Sequence, residues 1–140
     1  MMSPSSIRPM TVAIIRKGDL VLASSGHDNI KNEDFYRLPG GGIEMGETSR
    51  EALEREIKEE FDAELKNIKL LEVVENIFTF NGQLGHEICF IYQADFADQS
   101  LYQKQVFNIL DSHLGHTATW IPVNKTSRIY PQVAKELLIS

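Results

Sequence analysis

Glu56, Glu59 and Glu60 stand at i, i+3 and i+4, so a helix through them carries three carboxylates on one face. Each like-charge pair on a helix costs a few tenths of a kcal/mol, about the value of a favourable pair with the sign reversed. A solvated glutamate-rich face is the ordinary reading of such a run. Here the cluster borders an apolar stripe, Leu53, Ile57 and Phe61, while Glu51, Glu54, Arg55 and Lys58 already serve the outward side. A hard divalent cation held by oxygens would turn the repulsion into attraction, and Mg²⁺ sites combine a few carboxylates with waters and substrate phosphates. Just upstream lie Gly40, Gly41 and Gly42, where a backbone without side chains can come close to a phosphate or a metal. The residue types and their spacing point to a metal–phosphate site.

Several elements must position these groups. The spacing predicts a helix from about Thr48 to Phe61, capped by Thr48 or Ser49, with acids in its first turn. Upstream, Met10–Ile15 and Leu20–Ser24 read as strands of a hairpin around Lys17-Gly18-Asp19. Arg37, just before the glycines, is within reach of a phosphate, although a surface arginine ahead of a loop is commonly unremarkable. Downstream, Leu65–Phe80 and His86–Phe96 read as two strands joined at Asn81-Gly82, with His86 and Glu87 at the entrance of the second. Val106–Leu110 and Thr117–Ile121 read as another hairpin across the turn Asp111–Gly115. Pro131 then opens a last helix at its favoured first position, with Val133, Ala134, Leu137 and Leu138 as the apolar face. Strands, an acidic helix, more strands and a final helix suggest a mixed sheet with helices on both faces.

The spacing from Gly41 by five residues to Glu47, then by seven to Arg55-Glu56-Ile57-Lys58-Glu59-Glu60, resembles the Nudix box, G-x5-E-x7-R-E-U-x-E-E-x-G-U with U aliphatic. The match runs over 23 residues to Ala63 and departs at Asp62, where the family has glycine. That position falls just past the helix, where left-handed backbone is common, and Asp tolerates such geometry better than most residues. The resemblance implies an α/β/α sandwich with a mixed central sheet, in one domain over residues 1–140 with 1–9 as a loose arm. It implies hydrolysis of a nucleoside diphosphate linked to another group, with Mg²⁺ or Mn²⁺ as cofactor. On this reading Glu56, Glu59 and Glu60 hold the metal with the backbone carbonyl of Gly40. Arg37, Gly41 and Gly42 face the substrate, and Glu47 pairs with Arg55 to hold the loop on the helix. Glu44 either steadies the loop or stands near the metal. A further acid outside the box often completes such a site or acts as base. Glu87 is the first candidate, ahead of Asp98 and Asp111, while Gln103 and Gln105 fill a region where the family often has acids. A nucleoside triphosphate or a small nucleotide sugar suits a chain without an extra domain. Phe35, Tyr36, Phe78, Phe80, Trp120 and Tyr130 are all stacking candidates. The alternative is a Nudix-fold module that senses a nucleotide without cleaving it, although members of that kind usually lose box glutamates. A Nudix-related isomerase suits a short chain without a cysteine near the box less well. A homodimer is an expectation carried by the resemblance alone.

Composition bounds the rest. A chain of 140 residues is one domain burying roughly two-thirds of its unfolded surface. A net charge of −6 argues against coating nucleic acid or an anionic membrane, and makes a cation the natural intermediary for a phosphate ligand. The single cysteine, Cys89, excludes an internal disulfide and reads as a packing residue. No apolar run approaches the ~20 residues of a membrane span. The opening MMSPSSIRPM has no signal-peptide core, which gives a cytoplasmic expectation. His27, His86, His113 and His116 show no shared metal spacing, and there is no nucleophile elbow or internal repeat.

Overall fold

The structure is a computed structural model that describes residues 6–110, 115–125, 128–132 and 134–139. Strand β1 (Arg8–Ile14) sends Val12 and Ile14 into one apolar cluster and Ala13 into another, which Ile15 joins just past the strand. Thr11 to Ile15 are all buried, so the strand is covered on both faces. Strand β7 (Gln83–Phe96) lies parallel to it and divides likewise, Cys89 and Ile91 to one side and Tyr92 and Phe96 to the other. Helix α1 (Ser49–Phe61) closes one cluster with Leu53, Ile57 and Phe61. Helix α2 (Ala134–Ile139) closes the other with Ala134 and Leu138. The alternation of side chains along two strands thus produces an α/β/α sandwich.

The middle layer is two mixed sheets. The first has the order β5-β1-β7-β6, where β5 is Gly40–Gly42 and β6 is Leu65–Phe80, and only β1 and β7 run parallel. The second comprises β2 (Arg16–Lys17), β3 (Leu20–Asp28), β4 (Glu33–Arg37), β8 (Val106–Asn108), β9 (Thr117–Pro122) and β10 (Ile129–Tyr130). Its order is β10-β4-β3-β9-β8, with β2 on β3 and only β4 and β10 parallel.

Three expectations are corrected by this layout. The first hairpin is reduced to β2 and β3, because a strand buried on both faces takes the interior of the first sheet between β5 and β7. The arm ends earlier than residue 9, since Arg8 and Pro9 already pair with Glu87 and Ile88. The last helix begins at Ala134, whose N–H donates to the carbonyl of Pro131 at 3.0 Å, so Pro131 precedes the helix. Val133, Asp111 and His113 lie outside the described residues. The hairpin through Asn81-Gly82 forms as read, in a register that sets Phe80 against Gln83 and Asn76 against Glu87.

Helix α1 is bounded at both ends by local chemistry. Thr48 Oγ1 accepts from the Glu51 N–H at 3.1 Å, and Glu51 Oε1 accepts from the Thr48 N–H at 2.9 Å, a reciprocal capping box. At the other end Asp62 takes left-handed backbone (φ 51°, ψ 46°), and its N–H donates to the Lys58 carbonyl at 3.0 Å. Its carboxylate meets Lys58 Nζ at 3.0 Å, on the surface. Asp62→Val should therefore cost about 1–2 kcal/mol, because a branched side chain resists that conformation. Asp62→Gly should stay within about 1 kcal/mol of the parent, since relief of strain is offset by a freer unfolded chain. Urea titrations of both variants check this, and a Val substitution as well tolerated as Gly would refute the strain argument.

Candidate active site

The strand β5, three glycines, reaches its place because Gly40 and Gly41 carry no Cβ to block it. Gly40 pairs with Val12 at φ 147°, and a Cβ there would collide with the Thr11 carbonyl oxygen. A Cβ on Gly41 would stand 2.5 Å from Cδ of Glu56 and 2.6 Å from both its carboxylate oxygens. The Glu56 carboxylate therefore lies directly on the glycine backbone. Burial pushes this carboxyl above its ordinary range, with Glu59 adding to the rise, while hydrogen bonds from Arg55 and with Glu60 oppose it. The donor set here is all oxygen, from the largely covered Glu56 carboxylate to the exposed Glu59, and such a set fits a hard divalent cation. Among the described residues, the acids as placed do not converge three at a time on one point. Arg55 Nη1 stands instead between Glu56 and Glu59, donating at 3.0 and 3.3 Å.

Two concave regions meet at the glycine turn. The larger, about 440 Å³, is walled by Phe35, Phe78, Phe80 and Tyr130. The rings meet edge to face or tilted, with Phe35 5.6 Å from Phe80 and 5.2 Å from Tyr130, and Phe78 5.8 Å from Tyr130. The smaller, about 250 Å³, contains Glu60 and His116. Arg37, Leu38 and Gly40 line both. The Arg37 guanidinium lies 5.1 Å from the Phe35 ring and 5.7 Å from the Phe80 ring. Crowding by these walls lowers its pKa, and the charge of Glu87 opposes that. Glu87 lies in the larger cavity with Arg8 and Asn76, whereas Glu60 lies in the smaller. Tyr36 packs with the core on the α2 side, Trp120 stacks on Tyr102, and Asp98 caps a short 3₁₀ turn at Gln99–Gln103. Cys89, buried behind the cavity, has its thiol pushed up to about 12 by burial.

Sequence reading did not single out Asn76, Arg8 or Asp28. The Asn81-Gly82 turn was the available signal for Asn76, because counting back from a two-residue turn puts it opposite Glu87. Asp28, only 3% exposed, accepts from the N–H groups of Ile30, Lys31 and Asn81 at 2.9, 2.9 and 3.1 Å. It thereby ties the tip of the β6–β7 hairpin to the turn after β3, over the cavity.

Arg55 joins the loop to the helix. Its Nε donates to Glu47 Oε2 at 2.6 Å, and its Nη2 donates to Glu47 Oε1 at 2.9 Å and to the Gly42 carbonyl at 3.0 Å. Glu47 Oε1 also accepts from the Glu44 N–H at 2.9 Å, while the Glu44 carboxylate, largely exposed, stays 3.7 Å from Arg55. The Arg55 hydrogen bond, chiefly, holds the Glu47 carboxyl below its ordinary range. A carboxyl depressed by folding adds stability above its unfolded pKa and loses it as pH falls through the folded one. Glu47→Gln should therefore lower stability most near neutrality, and the gap to the parent should close as pH drops below the ordinary value of 4.5. Melting curves from about pH 7 to about pH 3 test this, and a gap constant with pH would contradict it.

A family model described as the NUDIX domain matches residues 7–137. Among solved structures, a MutT Nudix hydrolase from Burkholderia pseudomallei is 20% identical with a TM-score of 0.70, over 97% of this chain and 100% of that one. A UDP-X diphosphatase is 20% identical with a TM-score of 0.63, over 96% of this chain and 62% of that one. An ADP compounds hydrolase is 14% identical with a TM-score of 0.62, over 96% of this chain and 71% of that one. At these identities the structures share the fold, and membership rests on the domain match across nearly the whole chain. The Glu56 carboxylate laid on a glycine turn, a guanidinium locking turn to helix and the match over residues 7–137 together make this chain a member of the Nudix family, a hydrolase of phosphoric anhydride bonds.

Proposed function

We propose that the chain hydrolyses a nucleoside diphosphate linked to a further group, either a nucleoside triphosphate or a small nucleotide sugar. The observation that carries this reading is the junction of an aromatic cavity and an acidic recess at Arg37, Leu38 and Gly40. About 440 Å³ falls in the range of small-molecule sites and suits one nucleoside. A diphosphate leaving that cavity passes Arg37 and the glycine backbone before it reaches Glu60. Arg37 then balances phosphate charge beside Gly40, where the two cavities meet, while the space over Gly41 holds the Glu56 carboxylate and Gly42 lines neither cavity. Solved proteins of this fold named for MutT, UDP-X and ADP-compound hydrolysis fit the same substrate class.

Glu56, Glu59 and Glu60, with the Gly40 carbonyl, are the proposed holders of Mg²⁺ or Mn²⁺. When bound, such an ion neutralises phosphate oxygens and lowers the pKa of the attacking water. Arg55, fixed by Glu47 and Gly42, keeps these acids turned towards the glycines, a supporting role. Glu87 faces the nucleoside side of the junction in this arrangement. No helix among the described residues is long and apolar enough to cross a membrane.

Glu59→Gln and Glu60→Gln should each lower turnover by about 100-fold or more while melting close to the parent. The assay is a panel of nucleoside diphosphate derivatives with Mg²⁺ or Mn²⁺, reading released phosphate or pyrophosphate, and chelation should abolish it. Wild-type rates in both variants would sink the ligand assignment.

A further inference from the structure

The aromatic cavity has a polar floor that anhydride cleavage does not require. Asn76 and Glu87 are opposite each other in the β6–β7 register, and both line the cavity. Asn76 is only 8% exposed and the Glu87 side chain 17%. Arg8, opposite Glu87 on the other flanking strand, places Nη1 3.9 Å from Glu87 Oε2. A planar group held among Phe35, Phe78, Phe80 and Tyr130 would meet this trio along one edge. An ionised carboxylate only accepts, so the amide of the facing Asn76 offers it nitrogen, and the edge then presents two adjacent acceptors, the Asn76 oxygen and the Glu87 carboxylate, beside the donors of Arg8.

We propose that Asn76, Glu87 and Arg8 read the pairing edge of the nucleobase and select guanine over adenine. Guanine carries a carbonyl followed by two adjacent N–H donors, at N1 and the 2-amino group. Adenine presents one donor beside an acceptor nitrogen, cytosine one donor beside two acceptors, and uracil one donor between two acceptors. Only guanine matches two protein acceptors next to a guanidinium. This rests on the proposed nucleotide reading of the cavity, and gives Glu87 a role in specificity.

The test uses nucleoside monophosphates, which have no anhydride bond, so binding is measured apart from catalysis. By titration calorimetry on the metal-free full chain, GMP should bind about 10- to 100-fold more tightly than AMP. IMP, which lacks the 2-amino group, should fall between them. Glu87→Gln, nearly isosteric, should reduce the GMP preference to about threefold or less with an unchanged melting temperature. Asn76→Ser should shrink it in the same direction if the glutamine variant misfolds. Equal binding of GMP and AMP, no binding of either, or a preference untouched in both variants overturns the proposal. Turnover of the nucleotide panel separates the two readings. Cleavage indifferent to the base leaves the hydrolase standing and removes the edge reading, whereas a GMP preference without any cleavage does the reverse.

Discussion

One guanidinium ties the glycine turn to the acidic helix. Arg55 grips Glu47 with two parallel hydrogen bonds and the Gly42 carbonyl with a third, so the loop between β5 and α1 cannot swing away from the helix. The planar fork of arginine makes this possible, and lysine has no equivalent geometry. The same group supplies the positive charge between Glu56 and Glu59, where three glutamates on one helical face would otherwise repel without relief. Its pKa rises well above the ordinary value under this load, mainly through Glu47. Loss of Arg55 would thus both loosen the turn and leave partly buried carboxylates facing one another.

Glycine is the other half of that constraint. The carboxylate of Glu56 occupies the space where a side chain on Gly41 would be, and Gly40 crosses the Thr11 carbonyl at a distance no other residue permits. Core packing of Leu53, Ile57 and Phe61 brings the helix down onto β5, and the glycines set how close it comes. The contact that buries the helix also desolvates Glu56.

The two cavities divide the work by composition. Rings and a carboxyl–amide floor suit a planar heterocycle, while the recess at Glu60 is polar. Four cationic side chains, Arg8, Lys31, Arg37 and Arg128, line the larger cavity of a chain with net charge −6. Several are matched by acids at its rim, such as Arg128 with Glu33 at 3.0 Å. The local balance therefore favours a phosphorylated ligand without general attraction to polyanions.

Short-range information was legible in the chain itself. The period of Leu53, Ile57 and Phe61, the capping residue Thr48, the left-handed Asp62 and the Asn81-Gly82 hairpin all follow from neighbours within a few positions. The spacing of Gly41, Glu47, Arg55 and the glutamates likewise depends on one loop and one helix. Strand partners beyond the β6–β7 and β8–β9 hairpins were not legible. Alternating apolar residues in Met10–Ile15 allow a hairpin with β3 as readily as a place between β5 and β7, and only burial on both faces decides it. The start of α2 was decided the same way, by what Ala134 and Leu138 pack against. So was the cavity, since Arg8, Phe35 and Tyr130 come from strands distant in sequence from the β6–β7 hairpin that carries Asn76 and Glu87. Hydrogen bonds between near neighbours are written in the order of residues. Meetings across the sheets depend on which surfaces exclude water together, and that is a property of the whole fold.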